Sequence, residues 1–319
     1  MGSLFINEWI KLWTKKMPWI FLILIVVFMG IVSFMYHSFE ADTALDSENW
    51  RVQLESEIEQ DRELLQEEGV SDWERDFAQQ DIERNEAFLA ADINPRQVNN
   101  VTFMNDTILG VASFVTLFSV IVASTIVSSE FTTGTIKQLV IRPYERWQFL
   151  LSKFLTVVAF AFVLVGTLFV SNYLLGMILF DTVSWSTPIM EQTFNGVGAQ
   201  ESATILIFSK LGLYSLNMLV FVVISFALST LFKSQALAVG VGIFALFFTS
   251  MSQALTMVLG DTVWYKFIIL PHLSLTQYVS QDTLMDGVTL PFSLAILAFY
   301  VIIMLGLTTF IFQKKDIAY

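Results

Sequence analysis

Ser129-Glu130-Phe131-Thr132-Thr133-Gly134-Thr135-Ile136-Lys137-Gln138-Leu139-Val140-Ile141-Arg142-Pro143-Tyr144-Glu145-Arg146-Trp147 is a polar, basic island between two long apolar runs. Glu130 marks the point where an apolar helix leaves lipid. Gly134-Thr135 opens a short helix in which Ile136, Leu139 and Val140 recur at three- and four-residue spacing, giving one apolar stripe. Arg142-Pro143 ends it, because proline disfavours helix in the residue before it. Pro143 also suits the first turn of the following helix, where its missing N–H costs nothing. The pattern predicts a short helix lying on a membrane surface, hinged at both ends and flanked by Lys137, Arg142, Arg146 and Lys153. That shape suits the docking of a soluble partner. An ordinary amphipathic loop between two spans is the competing reading.

Outward from the island the chain reads as a membrane protein. Mean hydropathy is +0.64. Of the 319 residues 55% are hydrophobic and 14% charged, where soluble domains carry about a quarter charged. No cysteine is present, which excludes disulfides, zinc–thiolate sites and thiol catalysis. The net charge of −12 is concentrated in one insertion: residues 40–106 carry 19 acidic and 5 basic side chains, and the remainder is close to neutral. No nucleic-acid partner is implied.

On the N-terminal side, residues 1–18 predict an amphipathic interface helix. Ile6, Trp9, Ile10, Trp13 and Met17 share one face, and Asn7, Glu8, Lys11 and Lys15 the other, with the lysines toward water and Pro18 as the separator. Residues 19–39 span a bilayer once. Residues 40–106 predict an acidic hairpin of two helices. The first is capped by Asp46 or Ser47 and runs through Trp50, Leu54 and Ile58. The second is opened by the capping box at Ser71–Glu74, carries Trp73, Phe77, Ile82, Phe88 and Leu89 on one side, and is closed by Pro95. Residues 107–129 form the second span, rich in small residues that let helices pack closely.

On the C-terminal side, the cytoplasmic element 130–153 leads into a third span at 154–180. An outer loop at 181–203, a fourth span at 204–232 and a fifth at 236–259 follow. Residues 260–291 predict outer or re-entrant helices, 292–312 the sixth span, and 313–319 a short tail. Lys210 is expected to snorkel to the outer surface. The expected class is an all-α membrane protein with six transmembrane helices, an interface helix and an extracellular hairpin. Lys11, Lys15, Lys16, Lys137, Arg142, Arg146, Lys153, Lys233, Lys314 and Lys315 fall on one side of this layout. Only Lys266, with Lys210 at the edge, falls in the short loops of the other. The positive-inside rule then puts both termini in the cytoplasm.

Catalytic patterns are missing. The sequence has no G-x-x-x-x-G-K-[ST] phosphate loop, no H-E-x-x-H, no G-x-S-x-G, and two histidines only. Little buried charge is expected in the spans, so an ion-coupled carrier is disfavoured. An energy source would come from another subunit.

With this layout the chain resembles the membrane subunits of bacterial ABC-2 type (type V) ABC transporters. The likeness rests on the six-span plan, the interface helix, and the sequence at the exit of the second span: Glu130, Gly134-Thr135, Leu139, Pro143 and Arg146. The acidic hairpin after the first span departs from the simpler members. The resemblance implies a permease that is not itself an enzyme and holds no cofactor. ATP and magnesium would reside in two cytoplasmic ABC ATPase subunits, and the permease would pair with a second permease subunit in the lipid bilayer. It implies ATPase coupling through Glu130, Gly134, Thr135, Lys137, Leu139, Arg142, Pro143 and Arg146, with Trp9, Lys11, Trp13 and Lys15 on the interface helix. The implied cargo is an antimicrobial peptide, a drug or a lipid-like molecule. Two alternatives stand beside it. A membrane sensor would bind an external ligand through the acidic hairpin but would need an effector domain that residues 313–319 do not offer. An ATP-independent channel would show a strongly polar stripe in a span.

Overall fold

In the computed structural model, α6 (Ala112–Thr125) forms the axis of the apolar body and is flanked by α8 (Arg146–Leu179), α9 (Ala203–Leu231) and α10 (Gln235–Thr249). The structure describes residues 1–43, 49–67, 69–134, 144–193, 196–232, 234–249, 252–260 and 262–314. Among these, five helices are long and apolar enough to cross a membrane: 16–39 within α2 (Lys16–Thr43), 112–132, α8, α9, and α12 (Leu290–Lys314). The protein is a mostly helical, multi-pass membrane protein. In the most apolar window of each helix, 61% of 112–132 is buried, against 22% for α2 and 11% for α12. The second run is therefore the core helix, and α2 and α12 are outer helices that leave faces to lipid. Phe21 of α2 stacks flat on Phe118 of α6 at 4.3 Å between centroids.

The second span is not one continuous helix. Short α5 (Asn100–Thr107) precedes it, and α7 (Ser128–Thr132) follows a break at 126–127. The break has an identifiable cause. Ser229 Oγ of α9 accepts from Val127 N at 3.1 Å and from Ser128 N at 3.0 Å, and so takes two N–H groups away from the helical ladder. Ser229→Ala would leave both donors buried and unpaired. We expect a loss of about 1–3 kcal/mol, read as a lower unfolding temperature of the purified protein. A wild-type transition would mean that the ladder closes by itself. Close by, a Cβ added to Gly242 of α10 would lie 2.8 Å from Ser124 Oγ, so α10 approaches α6 more closely than any side chain there permits.

The acidic insertion folds as α3 (Trp50–Gln66) and α4 (Asp72–Ala91), packed on each other. Trp50, Leu54 and Phe88 are buried at their seam. The Ser71–Glu74 capping box is formed. The Asp46 or Ser47 cap falls outside the described residues, and Asn49 occupies the N-cap of α3. Trp73 and Phe77 stack on each other at 5.7 Å but stay exposed, so the apolar side expected of α4 is seated only at its C-terminal half. Arg51–Asp92, Arg62–Glu86 and Arg96–Glu57 tie the two helices and the chain after α4 together by ion pairs.

Several expected boundaries shift. α1 (Gly2–Trp13) ends before Pro18, which lies in the first turn of α2, where proline is tolerated. The helix of the third span begins at Arg146 rather than at 154, so the C-terminal third of the expected 130–153 element is already helical. The expected loop at 181–203 contains a β-hairpin, β1 (Pro188–Thr193) against β2 (Gly196–Ser202). Instead of dipping α-helices, the region after α11 (Ser252–Leu259) has 3-10 turns at Val263–Phe267, Leu270–Leu273 and Leu275–Val279. The small hairpin β3 (Thr283–Met285) and β4 (Val288–Thr289) follows them. The turns suit the sequence, because Pro271 interrupts any longer helix. Within the fifth expected span, 236–259, α10 and α11 are helical, and residues 250–251 between them lie outside the described residues.

Candidate coupling site

The first turns of α8, the end of α7 and one face of α1 converge at the end of the body that carries the N-terminus. The buried stripe of α1 is Leu4, Glu8 and Leu12, at four-residue spacing. Of the residues expected to face water, Asn7, Lys11 and Lys15 do so, but Glu8 is drawn in with the leucines. The reason is a cation on the other side of the contact. Lys153 Nζ lies 2.7 Å from Glu8 Oε2 and 2.7 Å from Glu130 Oε1. Lys153 is 3% exposed and Glu130 4%, so both charges are inside the protein. Lys11 Nζ closes the array at 2.5 Å from Glu130 Oε1, with its side chain half exposed. The expectation of little buried charge in the spans is thus wrong at this end of the bundle. Glu8, Lys153, Glu130 and Lys11 alternate in sign and sum to zero, which is how ionised groups are kept in a low-dielectric site. Desolvation, then Lys11 and Lys153, push the ammonium pKa of Lys15 below its ordinary value, so the cations here are crowded.

The expected site residues fall into three groups. Glu130, Lys11 and Lys15 come together around Lys153. Trp9 and Trp13 pack against the core, rather than lying free on the interface. Trp13 meets Phe160 edge-on at 5.9 Å, and its Nε1 is buried with no hydrogen-bond partner among the described residues. Arg146 starts α8 and donates to Gln313 O at 3.1 Å, tying that helix to the end of α12. Gly134 has φ +70°, the left-handed conformation that glycine supplies freely, and so turns the chain out of α7. Thr135, Lys137, Leu139, Arg142 and Pro143 lie outside the described residues.

Glu8 and Lys153 are the residues that sequence reasoning missed as site members. The signal for Glu8 was its place between Leu4 and Leu12. For Lys153 it was a lone cation at the edge of an apolar helix. Glu130 Oε1 is held by two lysines, and its Oε2 is buried without a partner among the described residues. No nucleophile stands in the array, and among the described residues no three metal-ligating side chains cluster. The arrangement clamps three helices to one another at the root of residues 135–143. Lys210, at the opposite end, does not snorkel to the surface but reaches into protein. It is buried, with Nζ 2.7 Å from Glu191 Oε1 of β1.

A family model described as "Protein of unknown function (DUF2705)" matches residues 77–318, which takes in Glu130 and Lys153 but not α1 or α2. Relatives include two proteins of Bacillus subtilis (strain 168). The uncharacterized protein YhcI is 32% identical over 330 residues, covering 100% of both chains. The uncharacterized membrane protein YdbK is 34% identical over 202 residues, covering 62% of this chain and 76% of its own.

Proposed function

The chain belongs to the DUF2705 family, and from that premise we propose that it is the membrane-spanning permease subunit of an ATP-driven ABC exporter of the ABC-2 type. The observation that carries the reading is the clamp of Glu8, Lys153, Glu130 and Lys11. A force applied to residues 135–143 would enter the membrane body through Gly134 and α7, and the clamp passes it at once to α1 and α8. That is what a coupling element requires. Two ATPase subunits would supply the force from the cytoplasm, with ATP and magnesium bound on their side. A second permease subunit would complete the path for a peptide, drug or lipid-like cargo. Leu139 would be the apolar knob in the ATPase groove. Leu139→Asp should remain in the membrane yet lose co-purification with its partner ATPase, and lose cargo-stimulated hydrolysis. Retention of both would remove residues 135–143 as the docking element.

In this reading α10 and α11 together make a sixth crossing, so both termini face the cytoplasm, with α3 and α4 outside. The absence of cysteine allows a clean check. A thiol placed at Gln60 should react with an impermeant maleimide on intact cells, and one at Gln138 only after permeabilisation. The opposite labelling pattern would invert the topology.

A further inference from the structure

At the end of the body that carries α3 and α4, a cavity of about 440 Å³ opens between the chain following α4, α5 and β1. Ligand sites commonly occupy about 300–1,000 Å³, so this one suits a small group. Its polar wall is built from Tyr36, Asn105, Asp106, Glu191 and Lys210. These groups are organised. Lys210 is committed to Glu191, and its Nζ also donates to Asn105 O at 3.0 Å. Asn105 Nδ2 donates to Glu191 Oε2 at 3.0 Å and to Asp106 Oδ1 at 3.2 Å. Tyr36 OH donates to Asp106 Oδ2 at 2.9 Å.

Two features are left unbalanced. Asp106 has only neutral hydrogen-bond donors and no ion-pair partner among the described residues; the cation acting on it at longer range, Lys210, already faces Glu191. Asn105 is 4% exposed, and its Oδ1 is buried without a hydrogen-bond partner among the described residues. The wall therefore offers one exposed, uncompensated carboxylate, and the residue next to it keeps a spare carbonyl oxygen that is closed off from solvent. Ile93 and Ile189 supply apolar lining. The region around it, residues 40–106, carries a net charge of −14 (5 basic less 19 acidic), which draws cations toward the cavity.

We propose that this cavity is a binding site for an organic cation, a primary ammonium on an apolar arm, with Asp106 as its counter-ion. The ammonium donates to Asp106, and the arm lies toward Ile93 and Ile189. Asp106 is exposed to solvent, so a cation entering the cavity can reach its carboxylate directly. An anion would meet two carboxylates against one cation, and a neutral alcohol would leave Asp106 as it is. The lysine side chain of an amphiphilic peptide and a free alkylamine share this chemistry.

The inference stands apart from transport, because it concerns binding to the full chain without any ATPase. The test is calorimetry on the protein in lipid nanodiscs with n-hexylammonium, an end-capped Leu-Lys-Leu peptide, and hexanol as the neutral control. We expect saturable binding of hexylammonium at one site per chain and none of hexanol. Asp106→Asn should weaken the ammonium roughly ten- to hundredfold, the worth of a charged hydrogen bond. Gln97→Arg places a guanidinium at the wall from an exposed position and should block the site without removing the carboxylate. Binding of the peptide as well would identify a lysine side chain as a fitting source, and its failure beside bound hexylammonium would restrict the site to small amines. Hexanol binding as tightly as hexylammonium, or full affinity in the Gln97→Arg protein, would overturn the proposal, even if the Asp106→Asn protein fails to fold.

Discussion

Lys153→Met is expected to lower the apparent melting temperature of the purified protein more than any other single change at the clamp. Lys153 Nζ is 2.7 Å from a carboxylate of α1 and 2.7 Å from one of α7. Methionine keeps the length of the side chain and removes the charge. Breaking a buried ion pair from one side typically costs about 3–5 kcal/mol, because a charge is left uncompensated. Lys11 still faces Glu130 after the change, so Glu8 is the carboxylate left most alone. Glu8→Gln in the Lys153→Met background should therefore restore part of the loss, whereas Glu8→Gln alone should be destabilising. The four proteins form a double-mutant cycle whose coupling term is the measurement. If that term is zero, the Glu8–Lys153 contact does not hold α1 to α8.

Gly134→Val should have the largest effect on the proposed coupling. The φ of +70° is the reason: a Cβ added there meets nothing within 4 Å, so the penalty is purely one of backbone conformation. The left-handed region costs an ordinary residue roughly 1–2 kcal/mol, and a β-branched one is worse placed than most. The chain would leave α7 in another direction and carry residues 135–143 with it. We expect membrane insertion to be unchanged and co-purification of the ATPase to fall roughly tenfold or more, the equivalent of about 1.4 kcal/mol. Asparagine visits the left-handed region readily, so Gly134→Asn should keep most of the association. Equal loss in the two variants would point to the missing hydrogen atom, not the backbone angle, as the fault.

The parts of the fold that were legible in the sequence are those set by neighbours in the chain. Long apolar runs announced the membrane helices, and the Ser71–Glu74 cap is a four-residue pattern that needs no tertiary context. Trp50, Leu54 and Ile58 repeat at helical spacing and are buried accordingly. The features that were not legible depend on partners far away. The Glu8–Lys153 pair spans 145 positions and Lys11–Glu130 spans 119, so no local period encodes them. The strand Gly196–Ser202 has little of the β-branched, alternating character that marks a strand, and it is held by its pairing with Pro188–Thr193. Lys210 was read as snorkelling to the surface, but it is buried, and its acceptor on β1 was invisible without the hairpin.

The hydroxyl of Ser229 has a consequence for how this sequence can diverge. It bonds the backbone of positions 127 and 128, not their side chains. Positions 127 and 128 are thus free of this particular constraint, whatever residue they carry, proline excepted. Position 229 is not: it must keep a short side chain ending in an acceptor oxygen, which limits it to serine, threonine, aspartate and asparagine. Among descendants that have lost such a residue at 229, the N–H groups of 127 and 128 need another acceptor from a neighbouring helix. Loss of the hydroxyl and gain of a new acceptor beside 127 and 128 should accordingly be found in the same lineages.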